Sequence, residues 1–343
     1  MQIDINQGET APNIPLGPPK EMISVVTLEG GKTLVRVNSS SLAVIQECLR
    51  KAQYSLDEKW RSQSESPATL FGTAIHKALE VFYQGDPKDR ILPALEDMEI
   101  LVAGARVMKD GPLLLHATQA FIDKAAPLAA LPDSDKRSIM NGVWTLHHYF
   151  KAYIDDPFVA HVDAAGQPYV ERTFTFTLFE DSYIRIDYFG TVDLVMKHAQ
   201  TGELHVCDHK TSSVVGADFY NRIKPNHQYT GYIMGARECF GIDTNSFIVN
   251  CVQVKARPVT ARGQPPHFPR QVTTRDEGDF EEFRESVVAA VYSYLEARRI
   301  GTWPIGHVNV CASYAGCQFL SVCSAPKSLR ENIMTAKFNR GVL

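Results

Sequence analysis

The sequence predicts an α/β protein in which helices flank a central mixed β-sheet. Residues 190–196 (GTVDLVM) and 204–211 (LHVCDHKT) are short stretches rich in Val and Leu, and the polar turn between them contains a glycine. This pattern is typical of a β-hairpin. Residues 169–178 add a strand in which Thr alternates with Phe or Leu, and residues 247–255 add another. Helical patterns separate these strands, so we expect one fold with layers of both.

The remaining patterns predict helices and strands on both sides of the hairpin. Asn38 and the serines after it offer oxygens that cap a helix, and Gly241 provides a stop for a later one. The predicted helices cover residues 42–54, 70–83, 225–240 and 276–299, and further strands cover residues 183–188 and 268–273.

We predict three segments along the chain. Residues 1–37 form an N-terminal arm that holds short strands around a Gly-Gly turn, and residues 326–343 form a C-terminal tail. The main domain covers residues 38–325. Within it, residues 97–153 have a mainly helical pattern interrupted by prolines, which we interpret as a helical insertion.

Length and charge exclude several classes of protein. A chain of 343 residues can bury a large core without the help of disulfides. A formal net charge of −4 argues against a basic coat that binds nucleic acid through phosphate neutralisation alone, but it leaves room for a local basic groove. The sequence has no signal-peptide pattern, and its apolar runs fall short of the roughly 18 residues of a membrane span. We therefore expect a cytoplasmic protein without a membrane partner.

The hairpin predicts a metal site. Period-two alternation puts Asp208 and Lys210 on one strand face, and a turn centred on residues 200 and 201 places Asp193 opposite Asp208, unless a glycine bulge shifts the register. Facing carboxylates with Cβ atoms about 5 Å apart repel each other unless a cation lies between them. A divalent metal ion held by oxygen ligands is the predicted occupant. An exposed ion pair at a strand end is the alternative interpretation of Asp208 and Lys210.

Helix 70–83 presents a further candidate ligand. Gly72, His76 and Glu80 form a row at the margin of its apolar face, where a residue that lines a cleft would lie. The apolar face consists of residues at helical spacing: Phe71, Ile75, Leu79 and Phe82.

Four motifs occur in a fixed order along the chain. They are Gly72-x-x-x-His76, Gly190-x-x-Asp193, Asp208-x-Lys210 and Gln228-x-x-x-Tyr232. Together they resemble the PD-(D/E)XK nuclease superfamily, and most of all its RecB/Cas4-type exonuclease branch, over roughly residues 38–325. The resemblance implies a restriction-endonuclease-like fold and metal-dependent hydrolysis of phosphodiester bonds in DNA.

The resemblance also implies a role for each motif residue. Asp193 and Asp208, with His76 and the backbone carbonyl of His209, would hold Mg²⁺, or Mn²⁺ as the alternative that an imidazole ligand favours. Lys210 would orient or help deprotonate the attacking water and stabilise the developing negative charge.

The helix after the hairpin supplies the expected substrate contacts. Gln228 and Tyr232 lie one helical turn apart, so both can face the cleft and contact a phosphate or a base. Glu80 and Glu171 are either residues that support the metal ligands or solvated surface residues, and the sequence leaves both interpretations open.

The seven cysteines favour free thiols or metal ligation over a disulfide framework. Cys311, Cys317 and Cys323 are spaced by five residues each, and Cys48 far upstream completes a set of four thiolates, which suits an iron–sulfur cluster or zinc. The resemblance implies a [4Fe–4S] staple with one cysteine before the nuclease core and three after it; structural zinc is the alternative. The other three cysteines are predicted to be small buried apolar residues: Cys207, Cys239 and Cys251.

These observations predict a metal-dependent DNA exonuclease that acts on single strands or ends, in recombination, repair or phage DNA processing. DNA is the predicted partner, and recombination or helicase proteins are further candidates. A degraded nuclease fold that holds DNA ends as a scaffold is the alternative, against which the intact Asp193, Asp208 and Lys210 argue. An RNA-directed or restriction-type endonuclease shares the chemistry but not the cysteine staple.

Overall fold

A computed structural model of the chain describes residues 22–258, 264–312 and 316–341, which form a mixed β-sheet between helical layers. The strands are β1 (Ile23–Thr27), β2 (Thr33–Val37), β3 (Trp60–Ser62), β4 (Phe158–Ala160), β5 (Val170–Glu180), β6 (Ile184–His198), β7 (Leu204–Ser212), β8 (Ser246–Gln253), β9 (Arg270–Thr274) and β10 (Phe338–Arg340). The helices are α1 (Ser39–Glu47), α2 (Leu49–Ala52), α3 (Pro67–Gln84), α4 (Leu95–Val102), α5 (Leu113–Lys124), α6 (Ile139–Tyr153), α7 (Ala217–Tyr220), α8 (His227–Phe240), α9 (Glu277–Ile300), α10 (Val308–Ala312), α11 (Leu320–Cys323) and α12 (Arg330–Lys337). A π-helical turn covers Gln53–Asp57, and short 3₁₀ turns cover Pro87–Asp89, Ala126–Leu128 and Lys327–Leu329.

The main sheet has β6 at its centre. Its strands follow the order β1-β2-β6-β7-β8-β9, and β4 and β5 pair with β6 as well. The pairs β2–β6 and β7–β8 are parallel, whereas β5–β6, β6–β7 and β8–β9 are antiparallel. The predicted mixed α/β sheet is confirmed. β1 and β2, which fall within the predicted N-terminal arm, belong to this sheet; residues 1–21 of the arm lie outside the described residues.

The predicted hairpin is confirmed with its register. β6 pairs with β7 from Leu194↔Cys207 to Lys197↔Leu204, and the same offset sets Asp193 opposite Asp208. Gly202 ends the turn with φ +77°, a conformation that glycine adopts without a steric penalty. No bulge shifts the register between these residues. The alternation therefore holds Asp208 and Lys210 on one strand face.

Because side chains alternate between the two faces of each strand, the sheet contributes residues to two hydrophobic cores, one on each side. Val206 and Phe247 point to the side covered by α1, α8 and α9, whereas Cys207 and Ile248 point to the side covered by α3, α5 and α6. The apolar face predicted for helix 70–83 lies fully within this second core. Burying each such Phe or Leu stabilises the fold by about 1.5–3 kcal/mol. The helical insertion thus shields one face of the sheet.

The helix predicted for residues 42–54 is interrupted. Asn38 caps α1 by accepting the Ser41 N–H at 2.8 Å, as expected. At Cys48 the backbone is extended (φ −167°, ψ 115°), and the Arg50 N–H donates to the carbonyl of Pro304 at 2.9 Å. Because a distant loop satisfies this amide, the chain can restart as α2 in a new direction. The break turns Cys48 toward the C-terminal region.

The segment predicted as a C-terminal tail holds α12 and β10 within its described residues. β10 pairs with β3 in a separate two-stranded sheet, and a small core fixes this unit to the rest of the protein. Its buried members are Tyr54, Phe319, Val322, Met334 and Phe338. Among the described residues no helix combines the length and the apolar character needed to cross a bilayer.

Candidate metal centre and cleft

Three acidic residues lie in a row across adjacent strands. Asp193 on β6 is opposite Asp208 on β7, and on the other side Glu171 on β5 is level with Asp193, because Val170 pairs with Leu194 and Arg172 with Val192. The row lies where α3 crosses the sheet. This places the two predicted carboxylates together and brings Glu171 beside them.

His76 projects from α3 toward this row. Its Nδ1 is 3.3 Å from Asp193 Oδ2, and ligand atoms of His76, Glu171 and Asp193 all lie within 4.8 Å of one another. Two carboxylates and an imidazole in this arrangement fit a divalent cation of the Mg²⁺ or Mn²⁺ type. Asp208 lies beside the group and pairs with Lys210 instead, with Oδ2 2.6 Å from Nζ.

The backbone at Glu171 has an unusual conformation. Its φ is +51°, in the left-handed region that costs a non-glycine residue about 1–2 kcal/mol. Such strain persists only where the surroundings enforce it and is often found at functional sites. The sequence left Glu171 open as a supporting or a surface residue, and the structure places it among the candidate ligands. The register that sets Glu171 opposite Asp193 would have identified it as a candidate ligand, but this register follows only once the β5–β6 pairing is known.

The electrostatics of the row favour a bound cation. Burial, followed by the charges of Asp193 and Glu80, raises the pKa of Glu171 to about 7. Burial and the Asp208 charge raise the pKa of Asp193 to about 6, although His76 opposes the shift. A divalent ion reverses this effect, because metal ligands bind in their deprotonated form.

Lys210 carries its charge in this environment. Burial favours the neutral amine, but the adjacent Asp208 carboxylate together with Tyr229 and Asp193 raises the pKa of Lys210 above its usual value. Nζ also donates to Gln228 Oε1 at 3.2 Å. A lysine held as an ammonium is suited to stabilising negative charge rather than to accepting a proton.

Gln228 connects the lysine to the helix behind it. Asn226 caps the start of α8, which sets Gln228 at its first turn. Gln228 Nε2 donates to the hydroxyl of Tyr232 at 3.0 Å and lies 3.5 Å from Asp208 Oδ1. Tyr232 is only 8% exposed, so its hydroxyl holds Gln228 in place from the core side. Gln228, by contrast, lines the cleft.

A cleft of about 720 Å³ opens beside Lys210. Its walls include the first turn of α1, with Ser39 and Ser40, and the residues before α8, with Arg222 and Asn226. The first turns of two helices therefore border the same space, and unpaired backbone N–H groups at such positions attract anions. The cleft can accommodate phosphates next to the lysine.

The His209 side chain lies behind the metal centre. Its ring stacks on Tyr83 with centroids 5.5 Å apart, and its Nδ1 lies 2.8 Å from Asn250 Nδ2. Burial, and then the proximity of His76, lowers the pKa of His209 well below its usual range, so the ring is neutral. Its backbone N–H donates to Asp193 Oδ2 at 2.8 Å. The buried ring therefore fixes the backbone segment that contacts Asp193.

A buried polar network extends from His209 to the helical insertion. Asn250 donates to the Tyr149 hydroxyl at 2.7 Å, which lies 2.9 Å from the Tyr83 hydroxyl. Arg270 donates to Tyr83 at 2.8 Å and forms a two-point ion pair with Asp156 at 2.7 and 2.5 Å. None of the sequence motifs includes this network. A lone asparagine in the apolar strand SFIVNCVQ was its only sequence signal.

Four cysteines gather between the end of α1 and the C-terminal segment. Cys48, Cys311, Cys317 and Cys323 are half-buried, and after burial itself the charges of Cys317 and Cys48 raise the pKa of Cys323. The Gly306 N–H lies 3.2 Å from Cys48 Sγ and donates to it. A donor of this kind would support a thiolate ligand, and a cluster or zinc ion bound by these cysteines stays a prediction. Residues 313–315, between the first two C-terminal cysteines, lie outside the described residues.

The prediction of three buried cysteines is confirmed for two of them. Cys207 and Cys251 are buried, but Cys239 is exposed, and the prediction for it was wrong. The buried stretch of α8 ends at Ala236, and the following residues of the last turn face solvent. A helix position alone did not identify where the core ends.

Metal affinity should depend on pH in a defined direction. Because Glu171 and Asp193 have pKa values raised to about 7 and about 6, protons compete with the metal as the pH falls through this range. We expect Mn²⁺ affinity to rise as the pH increases from about 5.5 to about 7.5 and then to level off. Isothermal titration calorimetry measures this dependence directly.

Glu171→Gln should remove the upper part of that pH dependence and weaken Mn²⁺ binding. The exposed Glu238→Gln is the matched control and should behave as the unmodified protein. In the metal-free protein, a raised carboxyl pKa means that stability falls as the pH rises from about 4 toward about 7, and Glu171→Gln should reduce this slope as well. An unchanged pH profile in Glu171→Gln would exclude Glu171 as a ligand.

The mixed sheet carries an acidic centre whose residues could hold a divalent metal ion. The family model of the PD-(D/E)XK nuclease superfamily matches residues 36–324, which is most of the chain. The chain therefore belongs to the PD-(D/E)XK nuclease superfamily, whose members use divalent metals. A search of curated proteins finds no match. The predicted superfamily is thus confirmed, while the RecB/Cas4-type branch remains a prediction.

Proposed function

We propose that the protein is a Mg²⁺- or Mn²⁺-dependent exonuclease that hydrolyses DNA at single strands or ends. The observation that carries this proposal is the position of Lys210. Its ammonium contacts Asp208 and Gln228 at the edge of the cleft, while Asp193 opposite Asp208 belongs to the candidate metal group. Nuclease chemistry requires this combination of acidic ligands and a fixed cation beside a space for phosphate.

His76, Asp193 and Asp208, with the carbonyl of His209, would hold the ion, and Glu171 joins them as a candidate ligand. A divalent cation bound there supplies Lewis-acid polarisation of the phosphate and neutralises its charge. These residues come from one helix and three adjacent strands, so the fold positions them before substrate arrives.

The chain's own groups complete the chemistry. Lys210 places a positive charge where negative charge develops on the phosphate, and its bonds to Asp208 and Gln228 fix it there before the reaction. Gln228 would contact the strand from the cleft side, with Tyr232 supporting it. The buried network behind His209 keeps the backbone next to Asp193 in position.

We assign the cysteine group to a [4Fe–4S] cluster, with structural zinc as the alternative. Support comes from four half-buried thiols that interact electrostatically and from the N–H donated to Cys48. Together with the motif order, this set favours the RecB/Cas4-type branch and a role in recombination, repair or phage DNA processing. Protein partners in such a process, including helicases, belong to the same proposal.

The experiment that tests the proposal compares linear and circular single-stranded DNA. Purified protein with Mn²⁺ should release nucleotides or short products from an end-labelled linear strand and leave a circular strand intact. Cleavage of both substrates would assign endonuclease activity instead. Tight binding of DNA ends without any cleavage, under Mg²⁺ and under Mn²⁺, would support the scaffold alternative and overturn the proposed activity.

A further inference from the structure

A second cavity lies away from the metal centre, beside the cysteine group. It has a volume of about 760 Å³, and its walls come from the π-helical turn, the loop after α9 and α12. None of its lining residues belongs to the catalytic or metal-binding set. Arg330 on one wall donates to the carbonyl of Cys323 at 3.1 Å, so the cavity is adjacent to the proposed cluster.

Four basic side chains line this cavity: Arg50, Lys327, Arg330 and Arg340. Within the part of the chain that the structure describes, none of them forms an ion pair with a carboxylate. Two carboxylates also line the space. Glu58 accepts hydrogen bonds from Gln53 and Trp60, and Glu331 is exposed. Arg50 and Arg330 donate to backbone carbonyls, which positions their charges without neutralising them. In a chain with an excess of acidic residues, this cluster of cations without a carboxylate partner favours an anionic ligand.

An aromatic group lies next to these cations. Trp60 is half-buried, and its indole N–H donates to Glu58 at 3.0 Å, which fixes the ring while leaving it partly accessible. The Arg340 guanidinium lies 5.4 Å from the ring centroid. Trp303 and Tyr54 add buried aromatic surface to the same cavity. A fixed indole beside unpaired cations is the combination that binds the bases and phosphates of single strands.

The backbone of this wall is irregular in two places. Gln53–Asp57 is a π-helical turn, and Lys59 has φ +62° although it is not glycine. π-Helical turns are rare and occur often at functional sites, and a left-handed non-glycine residue adds strain. The segment with these two features carries four residues that line the cavity: Gln53, Tyr54, Glu58 and Trp60.

We propose that this cavity binds a deoxynucleotide, with the base against Trp60 and the phosphate against Lys327, Arg330 and Arg340. If the protein acts on DNA, as the proposed nuclease function states, the bound nucleotide would be part of the DNA strand and would lie away from the site of cleavage. A free nucleotide offers the same base and phosphate and is the alternative ligand. The cavity would thereby increase the affinity for a strand long enough to reach it.

The test uses the 343-residue chain with Asp208→Asn, so that DNA is not degraded. Binding of a fluorescein-labelled oligo-dT is measured by fluorescence anisotropy. Lys327→Glu and Trp60→Leu should each raise the Kd by about tenfold, and Trp60→Phe should restore most of the affinity because phenylalanine also stacks on bases. Lys109→Glu, an equal change of charge at an exposed residue outside the cavity, should leave the Kd unchanged. Lys327 is exposed, so its replacement does not disturb a core.

Unchanged oligo-dT affinity in both Lys327→Glu and Trp60→Leu would overturn the inference. Titration with dAMP in the calorimeter distinguishes the two sources: binding of dAMP without binding of the oligonucleotide would overturn the strand assignment. Cleavage by the unmodified protein is measured separately. If that protein degrades DNA while the cavity variants bind normally, the cavity inference fails alone; if it does not degrade DNA but binding depends on Trp60, the proposed nuclease fails alone.

Discussion

Replacing Asp208 with asparagine should lower the rate of DNA cleavage by about a thousandfold or more, while the fold stays intact. Asparagine keeps the shape of the side chain but removes the charge that faces Asp193 and pairs with Lys210 at 2.6 Å. Since Asp208 is nearly fully buried, asparagine relieves its repulsion with Asp193 but also leaves Lys210 without its ion-pair partner; because the two effects oppose each other, thermal stability should not fall steeply. Single-turnover cleavage with Mn²⁺ measures the rate, and thermal unfolding checks the fold.

Lys210→Ala should lower the rate by about a hundredfold to a thousandfold, which is typical for the loss of one group that stabilises developing charge. Metal binding should persist in this variant, whereas Asp208→Asn should weaken it. Asp243→Asn, at an exposed aspartate outside the site, serves as the control. Retained cleavage in well-folded Asp208→Asn protein would remove the catalytic assignment of the hairpin.

The sequence predicted the hairpin and its facing residues because both depend on local rules. A glycine in a short turn fixes the register, and period-two alternation then determines which side chains share a face. The observed pairing of Leu194 with Cys207 is the one expected for a turn centred on residues 200 and 201 without a bulge. The position of His76 on α3 was likewise predictable, since helical spacing placed it next to a continuous apolar face.

Other parts of the site depend on contacts between distant segments. Glu171 joins the centre through the β5–β6 pairing and a left-handed backbone, neither of which is encoded within a few residues of it. The network from His209 to Asp156 joins β7, β8, β9 and two helices, so no local pattern identifies it. The interruption of the first helix at Cys48 likewise requires the loop at Pro304, far along the chain. Tertiary contacts override local propensity at each of these positions.

The cysteine group is expected to control stability rather than the chemical step. Cys48 and the C-terminal cysteines are separated by about 260 residues, so a ligand that joins them closes a very long loop. Loop-closure entropy and metal affinity together lead us to expect that Cys48→Ser lowers the free energy of unfolding by about 2–5 kcal/mol. Gly306 packs tightly against the segment around Cys48: a Cβ added at Gly306 would lie 2.5 Å from the carbonyl oxygen of Glu47.

Anaerobically purified protein should therefore be brown and contain iron, and serine at Cys48, Cys311, Cys317 or Cys323 should lower both the iron content and the melting temperature. Cys239→Ser is the matched control, because Cys239 is exposed and lies on α8, outside the group. It should leave iron and stability unchanged. Colourless protein with stoichiometric zinc would show that the four cysteines bind zinc instead of a cluster and still join the two ends of the chain. Protein with neither metal, and with an unchanged melting temperature in Cys48→Ser, would show that the four cysteines do not hold the two ends of the chain together.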